Sequence, residues 1–259
     1  MNVAILGHGF CGKATERMLR TSDSINRIQI QDPKYKQKIS PDEWDLIDYA
    51  FVCVPTPLVQ NYSVMDHFYN GNEFDMSIIH KAIECVPDRT RIVIRSTVGP
   101  DNLEEGWIHW PEFLRENNWE EDADDKTIPL VFGIETDDPA LSDLAWLFKD
   151  RNGVMVSPKV AAIYKLSRNA MLAAKVTMAN YIHRVCEDQD ASYHDVSKLL
   201  KEYANLGTSL WDVPGPDGQY GFGGSCFPKD TTHFSSIMCE GSGPSNIFTH
   251  VLRCNERSR

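Results

Sequence analysis

The opening of the chain, MNVAILGHGFCG, constrains its fold more than any other stretch. An apolar run from Val3 to Leu6 is followed at once by Gly7, Gly9 and Gly12, in the spacing G-x-G-x-x-G. Such glycines let a strand turn tightly into a helix, and they let backbone approach a pyrophosphate. Asp32 lies 32 − 12 = 20 residues beyond Gly12, where a carboxylate accepts a hydrogen bond from a ribose 2′-hydroxyl and repels a 2′-phosphate. The pattern predicts a turn that binds NAD rather than NADP; the alternative is a tight turn without a ligand.

The first 157 residues repeat this alternation of strand and helix. Apolar, strand-like runs are separated by helical or turn-rich segments. The five runs are Val3–Leu6, Arg27–Ile30, Ala50–Val54, Arg91–Arg95 and Leu130–Gly133. Their order predicts an α/β fold with a Rossmann-like, doubly wound parallel sheet.

The texture of the chain changes near residue 158. The segment VAAIYKLSRNAMLAAKVTMANYIHRVCEDQ is free of Gly and Pro, which predicts one long helix. Apolar residues recur in it at helical spacing: Ile163, Leu166, Ala170 and Ala173. A second helix around Val196 to Tyr203, a Gly/Pro-rich loop and further helical segments follow. We therefore expect an NAD-binding domain over residues 1–157, and a long central helix with a small all-helical domain over residues 158–259.

Charge and cysteine content exclude several classes of function. The 259 residues carry a formal net charge of -11, which argues against nucleic acid or an anionic membrane surface as the main partner. No apolar stretch approaches the roughly 20 residues that a membrane span needs, and the opening lacks the basic start of a signal peptide. Seven scattered cysteines without a C-x-x-C pair predict neither a metal site nor a disulfide framework. We expect a cytoplasmic protein without a metal, in which the acidic cluster at 120–125 is a solvated loop.

Polar residues are paired at a spacing of four, which puts both members on one helix face. The pairs are Glu112 with Glu116, Lys165 with Asn169, and Cys226 with Asp230. Pro111 and Pro228 fit the first turn of their helices, because no intrahelical hydrogen bond is donated there. The pattern predicts helices that begin at about Pro111 and Pro228.

Cys226 is the candidate nucleophile. It precedes a predicted helix start, where the helix dipole and the neighbouring Lys229 favour a thiolate. Gly223 and Gly224 beside it leave room for a substrate. A buried cysteine in a tight loop is the structural alternative, and the local chemistry alone does not decide between the two.

The run GFGGSCFPKD at 221–230 resembles the catalytic-cysteine motif of the UDP-glucose and GDP-mannose dehydrogenase family. Other segments are similar to family segments, in family order: CVPTP at 53–57, RSTV at 95–98, PEFLRE at 111–116 and YKLSRNAMLAAKV at 164–176. The resemblance implies an NAD-dependent enzyme that removes two hydrides from one carbon and so oxidises a sugar C6 alcohol to a uronic acid. It also implies a nucleotide-sugar substrate, a UDP- or GDP-sugar, and a homodimer built on the long helix.

The resemblance assigns a role to each candidate residue. Cys226 would capture the aldehyde intermediate and then hold a thioester, with Lys165 and Asn169 stabilising the oxyanion. Asp230 and Thr97 would place the hydrolytic water, Glu116 would act as the base, and Glu112 would lie near the substrate and the lysine. A covalent adduct facing a lysine and an amide is chemically coherent. We expect the cofactor contacts at Gly7, Gly9, Phe10, Cys11, Gly12, Asp32, Pro55, Thr56 and Thr97.

The match has gaps that leave other functions open. Family members usually continue into a second nucleotide-fold domain, so we expect a short form without that domain. Trp110 replaces an asparagine that often precedes Pro111, and Leu58–Glu73 is not family-like. A two-electron hydroxyacid dehydrogenase is disfavoured by Cys226, which it would not need. A catalytically impaired NAD-binding remnant, or a partner-binding module that needs a second chain, is the non-enzyme alternative.

Overall fold

The computed structural model describes residues 1–35, 38–59, 73–204, 206–242 and 246–259. Most of the segment Leu58–Glu73, which the sequence marked as unlike the family, lies outside the described residues. The chain divides into two compact units. The first comprises Met1–Pro57 and Phe74–Lys165, and the second comprises Leu58–Glu73 and Leu166–Arg259.

The first unit contains a seven-stranded sheet. Its strands, in chain order, are β1 (Asn2–Leu6), β2 (Arg27–Gln31), β3 (Tyr49–Val52), β4 (Arg91–Ile94), β5 (Ile108–His109), β6 (Leu130–Gly133) and β7 (Gly153–Val156). The order across the sheet is β2-β1-β3-β4-β5-β6-β7. All neighbouring pairs are parallel except β5 and β6. The predicted Rossmann-like sheet and its five predicted strands are confirmed, whereas β5 and β7 were not anticipated.

Burial explains why these segments are strands. Val3 to Leu6 are at most 1% exposed, and their side chains alternate between two hydrophobic clusters. Val3 and Ile5 belong to one cluster, and Ala4 and Leu6 belong to the other. A strand covered on both faces reads as a continuous apolar run, which is why the sequence revealed it.

The described helices follow in chain order. They are α1 (Phe10–Leu19), α2 (Pro41–Trp44), α3 (Ser77–Ile83), α4 (Trp119–Asp124), α5 (Ala140–Leu147), α6 (Pro158–Asp188), α7 (Tyr193–Tyr203), α8 (Phe227–Ser242) and α9 (Ile247–Ser258). The long helix predicted from residue 158 is α6, with 31 residues. Among the described residues, no helix is both long and apolar enough to cross a membrane.

Helix α6 buries one apolar face and exposes large apolar side chains on another. Leu166, Ala170 and Ala173 are fully buried, as the predicted spacing requires, but Ile163 is 48% exposed. A second stripe of large apolar side chains is exposed at intervals of seven residues: Met171, Met178 and Val185. This spacing keeps the three on one helix face, so α6 presents an apolar stripe to its surroundings.

Close packing places the start of α6 against the sheet. A Cβ atom at Gly133, the last residue of β6, would lie 2.7 Å from Pro158 Cα and 2.9 Å from Ala161 Cβ. Glycine is therefore needed at position 133 for the helix to approach the strand this closely. Lys165 lies one turn beyond Ala161 on the same helix.

Candidate active site

The glycine turn links β1 to α1. Gly7 has φ +88°, and a Cβ there would lie 2.8 Å from the carbonyl oxygen of Cys53. A Cβ at Gly12 would overlap the carbonyl oxygen of Gly7, whereas one at Gly9 would meet nothing within 4 Å. Gly7 and Gly12 are thus required by packing, while the space beside Gly9 is the open cradle that a pyrophosphate would need.

Asp32 directly follows β2 and lies against this turn. Its Oδ2 accepts a hydrogen bond from the His8 amide at 2.6 Å, and its Oδ1 accepts one from the Lys34 amide at 2.8 Å. Each carboxylate oxygen can accept a further hydrogen bond. The carboxylate is 9% exposed, so its orientation is fixed beside the glycine turn.

The other predicted cofactor residues lie at the same edge of the sheet. Thr56 follows β3, and its hydroxyl donates to the carbonyl oxygen of Thr97, which follows β4, at 2.6 Å. Pro55 is exposed, while Phe10 and Cys11, at the start of α1, are half-buried. In the order β2-β1-β3-β4, the chain runs from β1 to β2 on one side and from β3 to β4 on the other. The edge between β1 and β3 is therefore the switch point, where such sheets usually bind ligands.

The segment 110–116 contradicts one prediction. Glu112 and Glu116 do not share a helix face, because Pro111 and Glu112 lie in a non-helical stretch and Glu116 begins a separate short 3₁₀ turn. Glu112 is 7% exposed, and Glu116 is exposed. The segment is not helical because of Arg95, whose guanidinium donates hydrogen bonds to the carbonyl oxygens of Trp110 and Pro111 at 3.0 and 3.4 Å.

Arg95 is a charged residue of this site that the sequence interpretation missed. It is 1% exposed, and its Nη2 donates to Glu112 Oε2 at 2.9 Å. Its Nε donates to the Thr15 hydroxyl at 3.0 Å, and its guanidinium carbon lies 3.8 Å from the centre of the Trp110 ring. A buried cation requires such partners. The signal was present, because an arginine at the end of an apolar strand must find a counter-charge.

Trp110 and His109 explain why this segment is buried. Trp110 is fully buried and packs against Phe51, Phe132 and Phe148. His109 is also fully buried, and desolvation lowers its pKa to about 3, with smaller contributions from the charges of Lys165 and Arg95. The imidazole is therefore neutral over the physiological range.

Lys165 is the last residue of the first unit. It is 5% exposed, and its ammonium lies 5.5 Å from the centre of the Phe113 ring. The predicted pairing with Asn169 on one face of a helix is confirmed, because both residues lie in α6, and Asn169 is 3% exposed.

The cysteine loop, which we define as residues 221–226, ends at the start of α8. Cys226 directly precedes α8 and is half-buried, and its carbonyl oxygen accepts from the Asp230 amide at 2.8 Å. The predicted helix start at Pro228 is confirmed. The Ser225 hydroxyl lies 3.6 Å from the Cys226 sulfur.

Asp230 is held by two donors in the second unit. It is fully buried, and Asn169 Nδ2 donates to its Oδ2 at 2.6 Å. The ammonium of Lys229 donates to its Oδ1 at 2.7 Å. Lys229, whose charge we expected to act on Cys226, thus forms an ion pair with Asp230. The Asn169 amide has a second hydrogen, so this side chain can donate one more hydrogen bond.

Side chains from α6 and α9 fix the backbone of the cysteine loop. The Asn255 amide pairs with both backbone groups of Phe222, at 2.6 and 2.9 Å, and Asn180 accepts from the Gly221 amide at 3.0 Å. A Cβ at Gly223 would overlap the guanidinium of Arg259. The loop therefore carries Cys226 on a backbone whose hydrogen bonds are satisfied by distant residues.

The acidic cluster at 120–125 is a short helix with basic partners. Arg115 pairs with Asp122 at 2.5 Å, and Arg17 pairs with Asp124 at 2.6 Å. The described residues contain no group of three or more side chains able to hold a metal ion.

Comparisons with known proteins relate this chain to one family of dehydrogenases. Residues 159–257 match the model of the UDP-glucose/GDP-mannose dehydrogenase family, central domain. The UDP-glucose 6-dehydrogenase of Rickettsia bellii is 31% identical over 72% of this chain and 46% of its own length. That of Rickettsia felis is 27% identical over 93% of this chain and 54% of its own length. The chain thus spans about half the length of these curated relatives.

A solved structure extends the likeness to the fold of almost the whole chain. The UDP-glucose dehydrogenase of Pyrobaculum islandicum superposes with a TM-score of 0.78 over 99% of this chain and 68% of that chain, at 22% sequence identity. Residues 159–257 thus match the central domain of the UDP-glucose/GDP-mannose dehydrogenase family, and the likeness to the solved structure shows the same fold over almost the whole chain.

Proposed function

We propose that this chain is an NAD-dependent nucleotide-sugar dehydrogenase, which oxidises the C6 alcohol of a UDP- or GDP-sugar to a uronic acid through a thioester on Cys226. In this proposal residues 1–157 bind NAD, and residues 158–259 carry the cysteine and the long helix. The observation that carries the proposal is the buried Asn169–Asp230 hydrogen bond, one helical turn from Cys226.

The residues at the glycine turn fit NAD. Gly9 leaves a cradle open, Gly12 keeps α1 close to the turn, and the fixed carboxylate of Asp32 suits a ribose hydroxyl. NAD bound there would accept one hydride in each oxidation, so that two NAD molecules, bound in turn, are used for each acid formed. We expect a preference for NAD over NADP, because a 2′-phosphate would meet the negative charge of Asp32.

The side chains divide the chemistry in the following way. Glu116 takes the proton of the C6 alcohol in the first oxidation. Cys226 then adds its sulfur to the aldehyde carbon, and the resulting oxyanion is held by Lys165 and by the second hydrogen of the Asn169 amide. Such preorganised donors lower the barrier where negative charge develops.

The second oxidation leaves a thioester on Cys226. Asp230 and Thr97 place the water that attacks this carbonyl, and cleavage of the carbon–sulfur bond releases the acid and the Cys226 thiol. The covalent link keeps the aldehyde from escaping between the two oxidations. Glu112 forms a buried ion pair with Arg95, and in this proposal its carboxylate lies near the substrate and the lysine, as the family resemblance implies.

The test is a screen of UDP- and GDP-sugars for NADH production, with NADH counted per sugar consumed. We expect two NADH per acid. Cys226→Ser should block acid formation but allow a slow first oxidation, whereas Lys165→Ala should slow both oxidations by on the order of 10² to 10³. Cys85→Ser, at an exposed cysteine, is the matched control. Acid formation at the parental rate by Cys226→Ser would refute the thioester.

The same count separates two other functions. One NADH per product, unaffected by Cys226→Ser, would indicate a two-electron hydroxyacid dehydrogenase. NAD binding without turnover would indicate a module that needs a second chain, which the exposed stripe of Met171, Met178 and Val185 on α6 favours as the second candidate.

The same stripe supports a homodimer built on α6. Large apolar side chains on one face of a long helix are typical of an interface between identical subunits. Light scattering at micromolar concentration should give twice the mass of the chain, and Met171→Glu with Met178→Glu should return a monomer. A monomeric parent protein would remove the homodimer from the proposal.

A further inference from the structure

His8, the residue between the first two glycines of the turn, has a side chain that the proposed mechanism does not use. Gly7 and Gly9 on either side of it have no Cβ atom, so their backbone angles are only weakly restricted. The Gly7 amide donates to the Gln31 carbonyl oxygen at 2.9 Å. The Gly9 carbonyl oxygen accepts from the Lys13 amide at 3.0 Å. Between these two backbone hydrogen bonds, only His8 has a side chain that can fix the turn.

The His8 ring is anchored to α1 by Glu16. Its Nε2 lies 2.7 Å from Glu16 Oε2, and the ring is the donor because a carboxylate only accepts hydrogen bonds. The other oxygen of Glu16 accepts from the Arg20 guanidinium at 2.6 and 3.0 Å. The side chains of His8 and Glu16 are 17% and 18% exposed, whereas that of Arg20 is 64% exposed. The contact between His8 and Glu16 is therefore better shielded from solvent than the contact between Glu16 and Arg20.

The His8 ring also packs against the segment that carries Asp32. It makes an edge-to-face contact with the Tyr35 ring, with the ring centres 6.3 Å apart. Tyr35 lies in the short turn after β2, and its amide donates to the Asp32 carbonyl oxygen at 3.2 Å. The ring of His8 thus connects α1 with the turn that follows β2.

The backbone of His8 completes this connection at the Asp32 carboxylate. The His8 amide donates to Oδ2 at 2.6 Å, and the Lys34 amide donates to Oδ1 at 2.8 Å. Lys34 belongs to the same segment as Asp32, so the bond from His8 is the one that ties the carboxylate to the glycine turn. The position of the carboxylate beside the turn therefore depends on the orientation of the His8 amide, which the anchored ring restricts.

We propose that His8 and Glu16 are positioning residues for the cofactor, which hold the Asp32 carboxylate where it accepts from the ribose of NAD and repels the 2′-phosphate of NADP. This inference rests on the proposed function. A carboxylate that is already oriented binds the ribose without a cost for ordering its side chain. Without the contact between His8 and Glu16, NAD binding would carry that cost, and the carboxylate would be free to move away from a 2′-phosphate. The preference for NAD would therefore narrow.

The first experiment measures the Kd of NAD and of NADP by calorimetry in two variants of Glu16. Glu16→Asp keeps the charge but is one methylene too short to reach His8, whereas Glu16→Gln loses the charge but keeps the length and an acceptor oxygen. We expect the ratio of the NADP Kd to the NAD Kd to fall about two- to tenfold in Glu16→Asp. In Glu16→Gln it should stay near the parental ratio.

Arg17→Met is the matched control, because Arg17 lies beside Glu16 in α1 but pairs with Asp124 at the surface. It should leave the ratio unchanged. A parental ratio in Glu16→Asp would overturn the positioning role. A lower ratio in Glu16→Gln than in Glu16→Asp would overturn it as well, since charge rather than position would then set the preference.

The second experiment tests whether His8 acts through Asp32. In the parent protein His8→Ala should lower the ratio about as much as Glu16→Asp does. In an Asp32→Asn background the ratio should already be low, and His8→Ala should lower it no further, because the two residues act as one unit. A further fall in the double variant would show that His8 selects the nucleotide independently of Asp32, which would overturn the positioning role.

The third experiment needs no nucleotide. Hydrogen exchange of the His8 amide, followed by NMR, reports how firmly this amide is held against Asp32. We expect faster exchange in Glu16→Asp than in the parent protein and in Glu16→Gln. Equal exchange in the three proteins would overturn the link between the ring and the carboxylate. Slow exchange in a parent protein that binds neither NAD nor NADP would instead keep that link and refute the proposed cofactor site.

Discussion

Pro111 and Pro228 stand in similar local sequences, yet the chain folds differently at the two. Both precede a residue pattern with helical spacing, and only Pro228 lies in the first turn of a helix. At the cysteine loop the Cys226 carbonyl accepts the Asp230 amide, four residues on. This is the ordinary first hydrogen bond of a helix.

At Pro111 both the carbonyl acceptors and the amide donors of the corresponding helical hydrogen bonds have other partners. In a helix the carbonyls of Trp110 and Pro111 would accept from the amides of Leu114 and Arg115. Arg95 donates hydrogen bonds to both carbonyl oxygens. The Leu114 amide instead donates to Glu112 Oε1 at 2.5 Å, and the Arg115 amide donates to Asp122 Oδ2 at 2.7 Å. The difference teaches that one buried cation can override a local helix signal, because it satisfies the backbone in another way.

Removing the charge of Arg95 should have the largest effect on stability at either of the two proline segments. Arg95→Met leaves the Glu112 carboxylate buried without its ion pair, and we expect a loss of about 3–5 kcal/mol in the free energy of unfolding. Urea denaturation measures it. Arg95→Met with Glu112→Gln should recover part of the loss, because the uncompensated charge is gone. Equal losses in the single and double variants would show that the ion pair does not set the conformation of this segment.

Asp230→Ala should cost less, because its donors are a neutral amide and a lysine that reaches solvent. We expect a loss of about 2–3 kcal/mol, since the Asn169 amide keeps a buried donor without an acceptor. Asp230→Asn, which keeps the shape and one acceptor, is the matched control and should lose less. A loss for Asp230→Ala as large as that for Arg95→Met would contradict the distinction between the two sites.

His109, which directly precedes Trp110 and Pro111, should make the stability of the protein depend on pH. Its pKa is about 3 in the folded chain and about 6.5 in the unfolded chain. Below pH 6.5 the unfolded state binds a proton that the folded state excludes, so stability falls as the pH decreases from about 6.5 towards 3. Between pH 6.5 and 5 we expect His109 to contribute a loss of about 2 kcal/mol. The loss should be absent in His109→Gln. An unchanged pH profile in that variant would mean that the pKa of His109 is the same in the folded and the unfolded chain.

The two prolines themselves should give the smallest effect. Pro228→Ala should lower the free energy of unfolding by about 0.4–1 kcal/mol, because proline restricts the unfolded chain at a position whose folded conformation suits it. Pro111→Ala should leave the 110–116 segment non-helical, since Arg95 still takes the carbonyls. Chemical shifts of Leu114 and Arg115 measured by NMR report this directly, and helical shifts in that variant would show that the proline, rather than Arg95, prevents the helix.

The sequence predicted the elements whose signal is local. The glycine turn, the five apolar strands, the long helix and the helix start at Pro228 follow from residues next to one another in the chain. Strand β5 has only two residues, too few for a periodic pattern, and the reversed direction of β6 is set by its pairing with β5. Neither could be read from composition or spacing.

The contacts that the sequence could not predict are long-range. Arg95 and Glu112 are 17 residues apart, Asn180 and Gly221 are 41 apart, and Asn169 and Asp230 are 61 apart. Spacing along one helix identified Lys165 with Asn169 correctly and Glu112 with Glu116 wrongly, because only the first pair lacks a competing buried charge on the backbone. The roles of these side chains in catalysis stay predictions.

Gly133 has a consequence for how this sequence can vary. The strand end and the helix start touch where a single methyl group would intrude, and Lys165 is carried one turn further on that helix. Variation on the exposed face of the helix would leave the lysine in place, whereas alanine at position 133 would push the whole helix start outward. Gly133, which has no functional group of its own, should thus tolerate substitution poorly. In a mutational scan, substitutions at this position should reduce activity as strongly as substitutions of the chemically active side chains.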